Sequence, residues 1–164
     1  MAGTTNKKVL VARFERETVR GFIQTPGGFE ADALELLTPE GGLLKIPYSE
    51  AKLACFVKDF DAGETWREHR SFSTRPKSPG LWVRLRFRDG DSIEGMLANN
   101  LLSIELAGFS IIPPDPTFQN QRIFVPRTGL TEVQVLGVIG SPLRRRPAKN
   151  VEKEEGQLEM FKDI

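Results

Sequence analysis

"VLVARFERETVRGFI", residues Val9–Ile23, and "WVRLRFRDGDSIEGML", residues Trp82–Leu97, decide the fold, because they are the same hairpin written twice. Each has an alternating strand, a charged turn and a second strand carrying Gly21 or Gly95. Aligned on Phe14 and Phe87, the second copy is one residue longer before its glycine, and its "RDGD" supplies the Asp-Gly pair of a tight hairpin turn. The correspondence continues outward. "LELLTPEG" from Leu34 matches "FSIIPPDP" from Phe109, and "KIPYSEAKLACFV" matches "FVPRTGLTEVQVL", with Pro47 against Pro126 and Ser49 against Thr128.

Within each copy, short runs rich in β-branched and aromatic residues alternate with Gly, Pro, Asn and Asp, and no apolar pattern of helical period persists. The expectation is a mainly β chain of two tandem five-stranded small bent barrels, because a small isolated sheet must dispose of its edges. The first barrel spans residues 5–60, a linker 61–80, the second barrel 81–140 and a disordered tail 141–164. In the second barrel the strands are expected over Trp82–Arg88, Ser92–Ala98, Leu102–Ile112 with a break at Gly108, Arg122–Pro126 and Glu132–Leu136. The linker should hold one helical turn near Thr65–Arg70, with Trp66 and Phe72 packed on the barrels.

Composition narrows the function. The chain has 164 residues, 39% of them hydrophobic, so a real core forms. With 23 Lys and Arg against 22 Asp and Glu, no global field attracts nucleic acid or an anionic membrane, and an electrostatic partner must use a local patch. Cys55, the only cysteine, lies in the apolar run "LACFVKDF" and reads as a small buried hydrophobe. The start "MAGTTNKK" lacks the apolar segment of a signal peptide, and no run is long enough for a membrane helix, so a soluble cytoplasmic protein with no membrane partner is expected.

The elements "YSEAKLACFVKDF", "PPDPTFQNQRIFVP" and "LTEVQVLGV" resemble an uncharacterised bacterial family with tandem Sm-like domains, over Lys7–Ile139. The resemblance implies the strongly bent Sm-like barrel of RNA-associated proteins and assigns no activity. Sm proteins bind RNA through polar loops in an oligomeric ring; "ANN", Ala98–Asn100, is the nearest match here, and the first copy has "QTPGGFE" in that place.

Catalytic constellations are thin. The only histidine, His69, sits in the linker, "DFDAGE" lacks the spacing of a calcium loop, and the glycine pairs lack the partners of a phosphate loop. The chain is expected to be nonenzymatic, with no cofactor and no metal.

Two binding readings remain. On "LWVRLRFRD", alternation sends Val83, Leu85 and Phe87 inward and Trp82, Arg84, Arg86 and Arg88 outward, a guanidinium ladder ending in an indole. Such a face suits the phosphates and bases of RNA or single-stranded DNA. The second reading is the tail. "QLEMF" resembles the pentapeptide by which bacterial replication and repair proteins dock on the DNA sliding clamp, which implies a hydrogen-bonding role for Gln157 and apolar anchoring by Leu158, Met160 and Phe161. An adaptor docking through that tail is the first functional expectation, and the Trp82–Arg88 face the alternative; self-assembly is compatible with either.

Overall fold

The computed structural model describes residues 5–25, 27–60, 65–67, 69–114 and 120–140. Their strands are β1 (Thr5–Arg13), β2 (Val19–Thr25), β3 (Ala33–Leu37), β4 (Leu43–Pro47), β5 (Ala51–Val57), β6 (Gly80–Phe87), β7 (Ser92–Leu97), β8 (Gly108–Ile111), β9 (Asn120–Pro126) and β10 (Leu130–Ile139). The mainly β expectation holds. The strands form a seven-stranded sheet in the order β4-β3-β2-β1-β5-β9-β8 and a three-stranded sheet in the order β10-β6-β7. A single bridge, Met96 to Ile112, links β7 to the end of β8.

Two separate closed barrels do not form. The reason is the contact between β5 and β9, which pairs Ala54 with Phe124, Cys55 with Ile123 and Phe56 with Arg122, so one sheet takes strands from both halves of the chain. The cores follow the same division. Val9, Val11, Ile23, Leu34, Leu36, Ile46 and Phe56 pack with Phe124 of β9 in one cluster. Leu10, Ala12, Leu53 and Cys55 face the other way and pack with Val83, Leu85, Phe87, Ile93 and Ile111. Strands β1 and β5 are therefore buried on both faces, which is why "VLVA" and "LACFV" read as continuous apolar runs rather than alternating ones.

The two halves pair in matching registers. Val9 faces Gly21 as Val83 faces Gly95. Phe22 faces Leu37 as Met96 faces Ile112, and Leu34 faces Ile46 as Phe109 faces Val125. The glycine pairs, not the phenylalanines, set the correspondence: Arg13 and Phe87 occupy equivalent places, and the extra residue inferred from aligning Phe14 with Phe87 disappears. Both glycines are required by close approach. A Cβ at Gly21 would lie 2.9 Å from the Leu37 carbonyl oxygen, and one at Gly95 would lie 2.7 Å from Ile111 Cδ1.

One expected strand is shorter than its sequence suggested. The strand read over Leu102–Ile112 begins only at Gly108, and Leu101–Ser103 forms a 3-10 turn instead. Asn100 Oδ1 accepts from Leu102 N at 3.1 Å, the local side-chain bond by which asparagine competes with a strand ladder. Asn100 of "ANN" is thus spent on capping its own backbone. In the linker, a 3-10 turn covers Thr65–Arg67, Trp66 is buried in the shared core, and Phe72 meets Trp82 edge to face at 6.1 Å, as the sequence led one to expect.

Candidate binding face and the Lys52 clasp

Strand β6 alternates as expected: Val83, Leu85 and Phe87 are buried, while Trp82 and Arg84 are half-buried and Arg86 is exposed. The outward residues nevertheless do not form one ladder. Arg84 and Arg86 stay on the face. Arg88, beyond the strand end, turns to the junction of the two halves, stacks its guanidinium 3.9 Å from the Phe14 ring centroid and donates from Nη2 to the Ser49 carbonyl at 2.9 Å. Trp82 lies against Phe72, and its buried Nε1 has no hydrogen-bond partner among the described residues. Packed edge to face on Phe72, it is not an open stacking platform.

The linker completes what the strand begins. Arg70 O accepts from Glu94 N at 2.7 Å, and Phe72 N donates to the Glu94 carboxylate at 3.1 Å, so this segment is laced onto β7. The result is an open depression of about 510 Å3 lined by Arg70, Ser71, Arg84, Arg86, Ser92 and Glu94. Its cations are partly balanced. Arg84 lies 3.8 Å from the buried Glu94 carboxylate, Arg86 lies 3.3 Å from exposed Glu132, and Arg70 lies 3.5 Å from Asp91. Glu94 is fixed by Phe72 N, whereas the Arg86–Glu132 pair is exposed on both sides and of the kind that contributes little and yields to competing anions.

A second constellation lies beside it and was not anticipated. Strand β5 bulges at Lys52: Ala12 faces Leu53, but Arg13 faces Ala51. A bulge re-aims a side chain, and this one turns a lysine into the core. Only 3% of Lys52 is exposed. Its Nζ donates to Asp89 Oδ2 at 2.6 Å and to Asp91 Oδ2 at 2.5 Å, and it lies 5.1 to 5.9 Å from the ring centroids of Phe87, Trp66 and Phe14. The "RDGD" turn is thus both a hairpin and a clasp, since Asp91 N also donates to Asp89 Oδ1. Burial alone would raise the Asp89 carboxyl, but hydrogen bonds from Lys52 and backbone N–H groups, with the lysine charge, hold it below the ordinary carboxylate value. The one sequence signal was a single charge inside a run otherwise apolar.

Cys55 is buried, as expected. Among the described residues no cluster of His, Cys, Asp and Glu could hold a metal ion, and no helix is long and apolar enough to cross a membrane. Gln157, Leu158, Met160 and Phe161 lie outside the described residues.

Residues 5–137 match the family of unknown function DUF6982. The chain belongs to that family. The DUF6982 match runs from the first residue of β1 into β10, so the arginine depression, the clasp and the β5–β9 junction all fall within it. No curated protein and no solved structure matches the chain.

Proposed function

We propose that this DUF6982 chain is a nonenzymatic binding protein whose arginine-lined depression engages the phosphates of single-stranded RNA or DNA. The observation that carries the reading is the convergence of Arg70, from the linker, with Arg84 and Arg86, from β6, on one open depression whose rim also carries Ser71 and Ser92. Alternate residues of a strand stand about 6.6 Å apart, a spacing that lets neighbouring guanidiniums address successive phosphates. Serine hydroxyls add donors that fix a backbone without reading its sequence. Displacing Glu132 from Arg86 costs little, so an incoming phosphate competes on favourable terms.

Support for a binding rather than a catalytic role comes from the clasp. Lys52 is the most enclosed charged side chain described, and its ammonium is committed to the two carboxylates of the adjacent hairpin turn rather than open to a substrate. The same reading takes the halves as tandem Sm-like units, supported by their matching registers. Retention of single-stranded oligonucleotides on filters, with Arg84→Gln/Arg86→Gln as comparison, tests the site: the double variant should lose most binding, and Arg86→Gln alone, whose partner Glu132 is exposed, should lose part of it at an unchanged thermal unfolding midpoint.

The second reading makes the chain an adaptor on the DNA sliding clamp of a bacterial cytoplasm. "QLEMF" favours it, with Leu158, Met160 and Phe161 as apolar anchors and Gln157 as the hydrogen-bonding residue. Burying three such side chains at about 1.5 to 3 kcal/mol each suffices for micromolar affinity after ordering costs.

A further inference from the structure

We infer that strand β10 of one copy pairs with strand β4 of a second copy, in the register that β5 uses on β9 within the chain. The premise is the equivalence of β5 and β10. Against β1, Phe56 faces Val9, Cys55 faces Leu10 and Ala54 faces Val11, with Lys52 bulged. Against β6, Val135 faces Val83, Gln134 faces Arg84 and Val133 faces Leu85, with Thr131 bulged at the same place. Strands β4 and β9 are equivalent by their pairing with β3 and β8. Strand β5 then has β9 on its outer side, whereas β10 has no neighbour there among the described residues; β9 has β5, whereas β4 has none.

Carrying the β5–β9 register across places Val133 opposite Lys45, Gln134 opposite Leu44 and Val135 opposite Leu43. The exposed residues agree. Ala54 and Phe56 are 0% and 5% exposed, but their counterparts Val133 and Val135 are 41% and 54% exposed, and Leu43 is 72% exposed. Leu43 stands where Arg122 lies over Phe56 at 4.4 Å, so the same movement that covers Val135 also covers Leu43. Pro47 does not obstruct the pairing, because its counterpart Pro126 lies beyond the last residue that β5 engages, Phe124. The ten-residue β10 edge carries neither lysine nor proline, the devices that keep free edges apart. Because the two edges differ, the contact is head to tail, and it gives a closed ring or an extended array of copies.

Light scattering during gel filtration of the full chain should give a mass that is a multiple of 18.4 kDa. Val135→Lys and Leu43→Lys, both surface changes, should each return the monomer without lowering the unfolding midpoint. Register is read by mixing chains carrying Leu43→Cys with chains carrying Val135→Cys. Residues directly opposite on neighbouring strands are close enough for a disulfide, and Cys55 is buried away from exchange. The mixed dimer should form under mild oxidation and neither chain alone should do so. A monomer at all concentrations, an assembly indifferent to both lysine variants, or a disulfide that forms only within a doubly substituted chain would overturn the inference.

Discussion

Removing the cation of the clasp and removing its anions should have unequal effects on stability. Lys52→Met keeps the unbranched chain packed among Phe14, Trp66 and Phe87 and takes away only the ammonium. The two carboxylates left behind have side chains 36% and 32% exposed, so they rehydrate, and Asp91 retains Arg70 at 3.5 Å and Arg67 at 3.9 Å. The cost should be about 1 kcal/mol, the size of a typical net hydrogen-bond contribution. Asp89→Asn/Asp91→Asn does the reverse. It leaves an ammonium whose side chain is only 4% exposed with no compensating charge, the case for which a broken buried pair costs about 3 to 5 kcal/mol. At about 2 to 4 °C per kcal/mol for a chain of this size, the double asparagine variant should melt about 6 to 20 °C lower and Lys52→Met only a few degrees lower. Combining all three changes should recover most of the loss, because neither charge is then stranded. The pH dependence follows the same chemistry. Asp89 is depressed in the folded state, so its stabilisation is present above the unfolded carboxylate value, near pH 3.8, and is lost as the pH falls through the lower folded value. That acid-dependent component should shrink in Lys52→Met, which removes the lysine hydrogen bond and charge and leaves the backbone N–H donors. Thermal and urea unfolding across pH measure all of these, and a Lys52→Met variant less stable than the double asparagine variant would refute the reasoning.

Tyr48 is the single tyrosine, so its ionisation is read directly by absorbance. Burial first, then the nearby charges of Glu105, Asp32 and Glu30, push its hydroxyl up to about 12, and the hydroxyl donates to the Glu30 carbonyl at 2.6 Å; its tyrosinate should therefore appear about two pH units later in the folded chain than in the unfolded one. Because the unfolded state loses that proton first, stability should fall as pH rises from about 10, and an absorbance midpoint near 10 in the native protein would contradict this placement. Separately, deleting Gln157–Ile164 should abolish capture of the sliding clamp while leaving oligonucleotide affinity unchanged, as read by pull-down and filter binding side by side.

The legible part of the fold was local. The Asp-Gly turn, the alternation of "WVRLRF" and the bulk of Trp66 and Phe72 each express a short-range rule, and the structure follows them. What pattern alone missed depends on residues distant in the chain. Cys55 and Ile123 meet across the β5–β9 junction, which neither strand's own sequence specifies. Lys52 looks like a solvated lysine on a strand until the bulge turns it inward toward a hairpin of the other half. The arginine face was half legible for the same reason. Alternation placed Arg84 and Arg86 correctly, but Arg88 was drawn away by Phe14 and Ser49, and Arg70 joined the depression through a linker whose path sequence does not give.

The central claim is that Arg70, Arg84 and Arg86 bind a phosphate backbone. Its most direct test is the salt dependence of single-stranded oligonucleotide binding by the full chain, compared with Arg84→Gln/Arg86→Gln. Three neutralised phosphates should give a slope of log affinity against log salt of about −2, and losing two of the three arginines should bring it to roughly −0.7. Binding that ignores salt, a slope unchanged in the variant, or no binding at low salt would contradict it.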